Sequence, residues 1–118
     1  MTKLWASAPA QAPDGFAVSR NRRRVYIAMA GPTANCVVEV NRTAHGWQTG
    51  ATIPKAGSSS PTPWDTATSV QFLGKRILVT NQAYFTDIAS HWVVFDVKVG
   101  QRGMHLVVPK GVGATGRG

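Results

Sequence analysis

Two stretches of this chain repeat one another at a fixed spacing, and that repeat limits the folds open to it. Between Trp64 and Asn81 two apolar runs, Ser69 to Leu73 and Arg76 to Thr80, meet at Gly74-Lys75. The first run alternates apolar and polar residues, as a strand with one buried face does. The second is a short β-branched run bounded by turn signals, as a fully buried strand is. A glycine at the break supplies the positive φ that a hairpin reversal needs. At an offset of 52 residues the pattern recurs: Val18 aligns with Val70, Arg24 with Arg76, Val25 with Ile77 and Ile27 with Val79. The third strands match as well, Val37-Val38 with Val93-Val94, after a slightly longer loop.

In chain order, Pro13-Asp14-Gly15 is a turn: Pro presets φ, Asp can bond the following backbone, and Gly takes the unusual dihedral. Strands are predicted at Phe16 to Ser19, Val25 to Met29, Cys36 to Val40 and Trp47 to Ile53, with turns at Arg20 to Arg23, Gly31 to Asn35 and Thr43 to Gly46. The 12 Gly and 7 Pro break the sequence every few residues and leave no window for a long capped helix. The class is all-β. A repeat of four short strands over roughly 40–50 residues is the pattern of propeller blades, and a sandwich of seven or eight strands is the competing architecture. The expected division is a linker or remnant of a preceding blade over 1–12, one four-stranded antiparallel blade over 13–54, a Gly/Ser/Pro loop over 55–63, a last blade over 64–110 and a low-complexity, disordered tail over 111–118. The segment Met104 to Val108 is a candidate final outer strand.

Composition narrows the function classes. A formal charge of +8 invites a nucleic-acid reading. The distribution argues against it, because only Arg20, Arg22, Arg23 and Arg24 cluster, and they fall where a solvated hairpin tip belongs. No run approaches the roughly 18 apolar residues of a membrane span. Residues 1–11 carry no apolar stretch of the roughly 7–15 residues that a secretory signal uses. Cys36 is the only cysteine, so an internal disulfide is impossible; beside Val37 and Val38 it reads as a buried thiol in a strand.

Several residues then look familiar as a group. Pro13-Asp14-Gly15-Phe16-Ala17-Val18-Ser19 followed by Arg24-Val25-Tyr26-Ile27-Ala28 resembles a blade motif of the senescence marker protein (regucalcin), gluconolactonase and luciferin-regenerating enzyme family. Thr68 to Gly74 with Leu78-Val79-Thr80-Asn81 resembles the following blade, and Phe95 to Gly103 resembles the closing segment of bacterial members. The resemblance covers roughly residues 12–110. It implies a six-bladed β-propeller with a divalent metal (Ca²⁺, Mg²⁺, Mn²⁺ or Zn²⁺) in the central channel, acting on lactones and related esters. Only about the last two blades are matched, so the ring is incomplete. The expectation is a C-terminal portion of such a hydrolase, itself inactive, whose missing blades are supplied elsewhere or by self-association. A non-catalytic binding or scaffold segment is the alternative.

The resemblance makes Asp14 the candidate metal ligand, because it stands at the family's Asp-Gly position. The bland reading is a carboxylate that caps its own turn. The family's other ligands, a Glu in the first blade and an Asn in a middle blade, have no counterpart here, and an oxygen-rich site normally needs about six ligands including waters. Elsewhere, His45, His91 and His105 stand at no metal-ligand spacing. His91 with Trp92 is expected to open a strand at a sheet edge. Ser58 to Ser60 lacks a nucleophile-elbow pattern. Trp47, Trp64 and Trp92 are expected to pack between sheets, and Asp65 to serve a turn. Tyr84, Phe85 and Asp87 are exposed candidates on the loop Asn81 to Ser90. If the chain is two blades of a larger ring, Val70, Phe72, Ile77 and Val79 should be partly exposed.

Overall fold

A computed structural model of the chain describes residues 1–104. Its seven strands are β1 (Pro13–Val18), β2 (Arg24–Met29), β3 (Cys36–Thr43), β4 (Gly46–Ile53), β5 (Ala67–Leu73), β6 (Arg76–Asn81) and β7 (Val93–Lys98), with one 3₁₀ turn at Ala89–His91. They form two antiparallel meanders, a four-stranded sheet in the order β1-β2-β3-β4 and a three-stranded sheet in the order β5-β6-β7. Each predicted strand is present, most of them a residue or more longer. The fourth strand expected for the second sheet, at Met104 to Val108, falls beyond residue 104 except for Met104 itself, as does the expected tail at 111–118. Met104 lies beside the first sheet: its N–H donates to the Val18 carbonyl, and Gly103 bridges Ser19.

The pairing register turns the sequence repeat into a structural one. In the first sheet Ile27 pairs with Phe16 and Val38, and Tyr26 with Ala17 and Glu39. In the second, Val79 pairs with Val70 and Phe95, and Leu78 with Gln71 and Asp96. The offset of 52 therefore holds for β2 and β6, whereas Phe16, not Val18, is the counterpart of Val70. The two-residue slip has a local cause. The first hairpin closes around four residues, Arg20 to Arg23, with Ser19 N–H donating to the Arg24 carbonyl. The second closes around two, Gly74-Lys75, with Gly74 at φ 59°. Because the slip is even, every side chain keeps its face.

One ion pair marks the repeat. Arg24 pairs with Glu39 at 3.4 Å, and the register-equivalent Arg76 pairs with Asp96 at 2.5 Å. In the first sheet the carboxylate is largely covered and also accepts a 3.0 Å hydrogen bond from the Tyr26 hydroxyl. In the second sheet both partners are about half exposed.

That difference follows from how the sheets stack. The face of the first sheet bearing Ala17, Tyr26, Ala28 and Val37 packs on the face of the second bearing Val70, Phe72, Ile77, Val79, Phe95 and Val97. Tyr26 meets Phe72 edge-on, with ring centroids 5.7 Å apart and planes at 78°, a favoured aromatic geometry. Gly15 lies where β1 crosses β5; a Cβ there would sit 2.8 Å from the Thr68 carbonyl oxygen, so no larger residue fits without moving backbone. Val70, Ile77 and Val79 are accordingly buried, and Phe72 is half-buried. The expectation that these four would be partly exposed holds for Phe72 and is corrected for Val70, Ile77 and Val79, because the first sheet covers them. Further apolar side chains lie on the opposite face of the first sheet.

A second cluster lies on that face: Met29, Cys36, Val38 and Val40, with Trp5, Ile27, Ala34 and Trp47 against them. Among the described residues the N-terminal segment lies over it, pinned by a 3.0 Å hydrogen bond from Trp5 Nε1 to Thr49 Oγ1. Cys36 is buried as expected, and burial raises its thiol pKa. Trp64 stacks on Phe95 at 4.5 Å. Trp92 does not pack between sheets; it is 57% exposed, since the 3₁₀ turn ahead of β7 turns it outward.

Burial, and then the neighbouring Glu39 carboxylate, pushes the Tyr26 phenol up to about 12 from the ordinary 10.0. A raised folded-state pKa stabilises the fold in full below the unfolded value, and the contribution is lost as pH rises from 10 through about 12. Alkaline titration of phenolate absorbance should therefore show a late step that Tyr26→Phe removes. A Tyr26-dependent step centred at the ordinary value would contradict the packing described.

Candidate functional site

All the long connections gather at one end of the two sheets. There β1, β3, β5 and β7 begin and β2, β4 and β6 finish, so Asp14, Asn35, Asp65 and the segment 82–92 belong to one rim. The other end holds the short turns at 19–24, 43–46 and 73–76. Backbone strain is distributed the same way. Of the non-glycine residues with positive φ, Ala10, Ala12, Asn35, Thr66, Ala83 and Asp87 lie at the rim and only Arg22 at the turn end. Such conformations cost of order 1–3 kcal/mol each and collect where a surface must be held in one shape.

A buried polar network holds this rim. Asp65 precedes β5, and its carboxylate accepts hydrogen bonds from Thr86 Oγ1 at 2.5 Å and from His91 Nδ1 at 2.8 Å. Asn81, at the end of β6, accepts from the Asp65 backbone N–H and donates through Nδ2 to the carbonyls of Pro63 at 3.0 Å and His91 at 2.8 Å. Asn35 of the first sheet accepts from the Thr66 N–H at 3.0 Å, tying the two sheets together across the rim. The His91 and Thr86 donors hold the Asp65 carboxyl below its ordinary value of 3.8. With Asp65 ionised, Nδ1 is the donor in this bond, since a carboxylate only accepts. His91 thus sits in a 3₁₀ turn and is oriented by a carboxylate, rather than opening a strand.

Outside the network the loop is apolar and open. Tyr84, Phe85, Ile88 and Trp92 are all exposed, and Tyr84 meets Phe85 edge-on at 5.1 Å. A concave surface of about 480 Å³ lies between Asn81, Ala83, Tyr84, Asp87 and Trp92. Its volume suits a small organic molecule. The sequence-based candidates Tyr84, Phe85 and Asp87 are indeed exposed there, whereas His45 and Ser58 to Ser60 lie on exposed loops away from this concavity.

Asp14 is exposed at the start of β1, in the irregular stretch between the Pro13 and Phe16 pairings. Among the described residues no three His, Cys, Asp or Glu side chains converge on one point. Asp14 therefore offers one carboxylate, and the residues described do not compose a metal cage around it. Sequence reasoning assigned Asp65 to a turn and missed the network. Its one available signal was the pair of polar residues, Asp65 and Asn81, that flank the second hairpin, with Asn81 standing where Met29 stands in the first.

Comparison with protein-family models, with curated proteins and with solved structures finds no match to this chain.

Asp65→Ala removes the acceptor of two part-buried donors, and should lower stability by about 1–3 kcal/mol. The wild-type contribution is present above pH 3.8 and is lost as pH falls through the depressed folded-state value. Urea unfolding at pH 7 should show the variant's midpoint reduced at unchanged slope, with the gap closing in strong acid. An unchanged midpoint at pH 7 would show that the network does not stabilise the rim.

Proposed function

We propose that this chain contributes two neighbouring blades to a gluconolactonase-like propeller, whose complete form is a metal-dependent lactone or ester hydrolase. The observation that carries the reading is the placement of Asp14: an exposed carboxylate at the head of β1, where Gly15 brings β1 within van der Waals contact of β5. In a propeller the first strand of each blade lines the channel, so a carboxylate at that strand's head is placed to face a central cation. The reading is further supported by the two meanders stacked in a repeating register, each with an Arg–carboxylate pair on the same face. A hard divalent cation there would take Asp14 together with oxygen ligands from outside the described residues. When bound, it would polarise a lactone carbonyl and supply activated water. The apolar lip of Tyr84, Phe85 and Trp92 would shelter the organic part of a substrate.

Mn²⁺ added to the chain should broaden NMR signals of Pro13 to Phe16, and Asp14→Ala should abolish that effect. Lactone hydrolysis by the chain alone, with Ca²⁺, Mg²⁺, Mn²⁺ or Zn²⁺, should stay at the uncatalysed rate. Robust turnover abolished by Asp14→Ala would make this chain a complete hydrolase, contrary to the reading of Asp14 as one wall of a shared site. Broadening at Pro13 to Phe16 that Asp14→Ala leaves unchanged would remove the metal role. The exposed aromatic lip favours a second reading, a non-catalytic binding segment, and metal-independent ligand binding undisturbed by Asp14→Ala would support it.

A further inference from the structure

The repeat register equates faces as well as strands. Phe16, Val18, Val25, Ile27, Val38 and Val40 on the first sheet correspond to Val70, Phe72, Ile77, Val79, Phe95 and Val97 on the second. The second set is the surface that the first sheet covers. Among the described residues the first set is only partly covered: Val38 and Val40 are buried against Trp5 and Trp47, whereas Phe16 is 64% exposed and, with Val18, Val25, Ile27 and Met104, lines an apolar groove of about 610 Å³. By the same register, Ala17, Tyr26, Ala28, Val37 and Glu39 correspond to Gln71, Leu78, Thr80, Val94 and Asp96. The former set is packed in the interface, whereas the latter is the outer face of the second sheet, where Leu73 and Val94 are each 58% exposed. Among the described residues the molecule thus presents two incompletely covered surfaces, each the counterpart of one half of an interface it already makes.

We propose that the groove of one copy receives the outer face of the second sheet of another copy, head to tail, repeating between molecules the sheet-on-sheet packing found within one. The occupant is a second copy because the chain itself carries the register-equivalent half, on which Leu73, Leu78 and Val94 lie among Gln71, Thr80 and Asp96, down to the Arg76–Asp96 pair that stands where Arg24–Glu39 stands in the internal interface. Leu4 and Trp5 lie against the groove but leave Phe16 uncovered. Such a contact is heterologous and grows into a closed ring or an open chain according to the rotation between sheets; three copies would bring together six sheets of the kind that each supplies in pairs. Charge sets its salt dependence. Lys3, Arg22 and Arg42 rim the groove, while Arg76 and Lys98 flank Asp96 on the opposing face, so like charges approach and added salt strengthens association. This inference rests on the packing register alone and needs neither a metal nor a lactone.

Sedimentation velocity on the 118-residue chain, over a range of concentrations and at low and high salt, tests it. The expected result is mass-action growth beyond the 12.6 kDa monomer, stronger at high salt. Phe16→Lys blocks the groove and Val94→Lys blocks the outer face; both positions are exposed, and far-ultraviolet circular dichroism confirms that each variant is folded. Each variant alone should stay monomeric, and an equimolar mixture should form a species of twice the monomer mass that grows no further. A wild-type chain that stays monomeric throughout, a single variant that still dimerises, or a mixture that fails to pair would each overturn the proposal. Loss of lactonase-related metal binding would leave it untouched.

Discussion

A β-meander with two apolar faces cannot stand alone in water, because each face needs its own cover. The first sheet is such an object, and its packing against the second sheet is the constraint on which the remainder depends. The contact of Tyr26, Ala28 and Val37 with Val70, Ile77 and Val79 excludes water from both sheets, at roughly 25 cal/mol for every Å² of apolar surface removed. It also largely covers a carboxylate, Glu39, which is tolerable because Arg24 and the Tyr26 hydroxyl donate to Oε2 and Asn41 Nδ2 donates to Oε1. The Arg76–Asp96 pair lacks such cover and remains a surface ion pair, of the kind worth about 0–1 kcal/mol.

The same stacking positions the rim. With β1 and β5 held close at Gly15, the Asn35 side chain reaches the Thr66 N–H across the sheets, and Asp65 can anchor the loop that carries Thr86 and His91. Strained residues at Thr66, Ala83 and Asp87 are held by that anchoring. The aromatic lip at Tyr84, Phe85 and Trp92 is therefore displayed from a braced loop. A small concave surface, an oriented imidazole and a free carboxylate at Asp14 share one end of the molecule.

Much of the fold was legible because strand signals are local. Alternation from Ser69 to Phe72, the β-branched run from Ile77 to Val79 and the glycine at residue 74 each identify their element without knowledge of the others. The equivalence of Arg24 with Arg76 was visible too, though the paired acids at residues 39 and 96 were not, because their separations along the chain differ, 15 and 20 residues. The slip in β1 was hidden for a related reason: a four-residue and a two-residue turn give the same alternation on either side. Which face of which sheet would be covered was not legible, since both sets are apolar, and only the stacking decides that Ile77 is buried while Phe16 is open. The Asp65 network escaped because Asp65, Asn81, Thr86 and His91 lie in turns and loops with no period to align them. The assignment of a metal role to Asp14 came from resemblance alone.

The central claim is that the Tyr26 face of the first sheet, and not its Ile27 face, meets the Ile77 face of the second. Nuclear Overhauser measurements on the folded chain test it most directly. The account predicts cross-peaks between ring protons of Tyr26 and Phe72, whose centroids lie 5.7 Å apart, and none between the methyl groups of Ile27 and those of Ile77. Cross-peaks joining Ile27 to Ile77, with none between Tyr26 and Phe72, would mean that the sheets stack through the other face, and the account would fail.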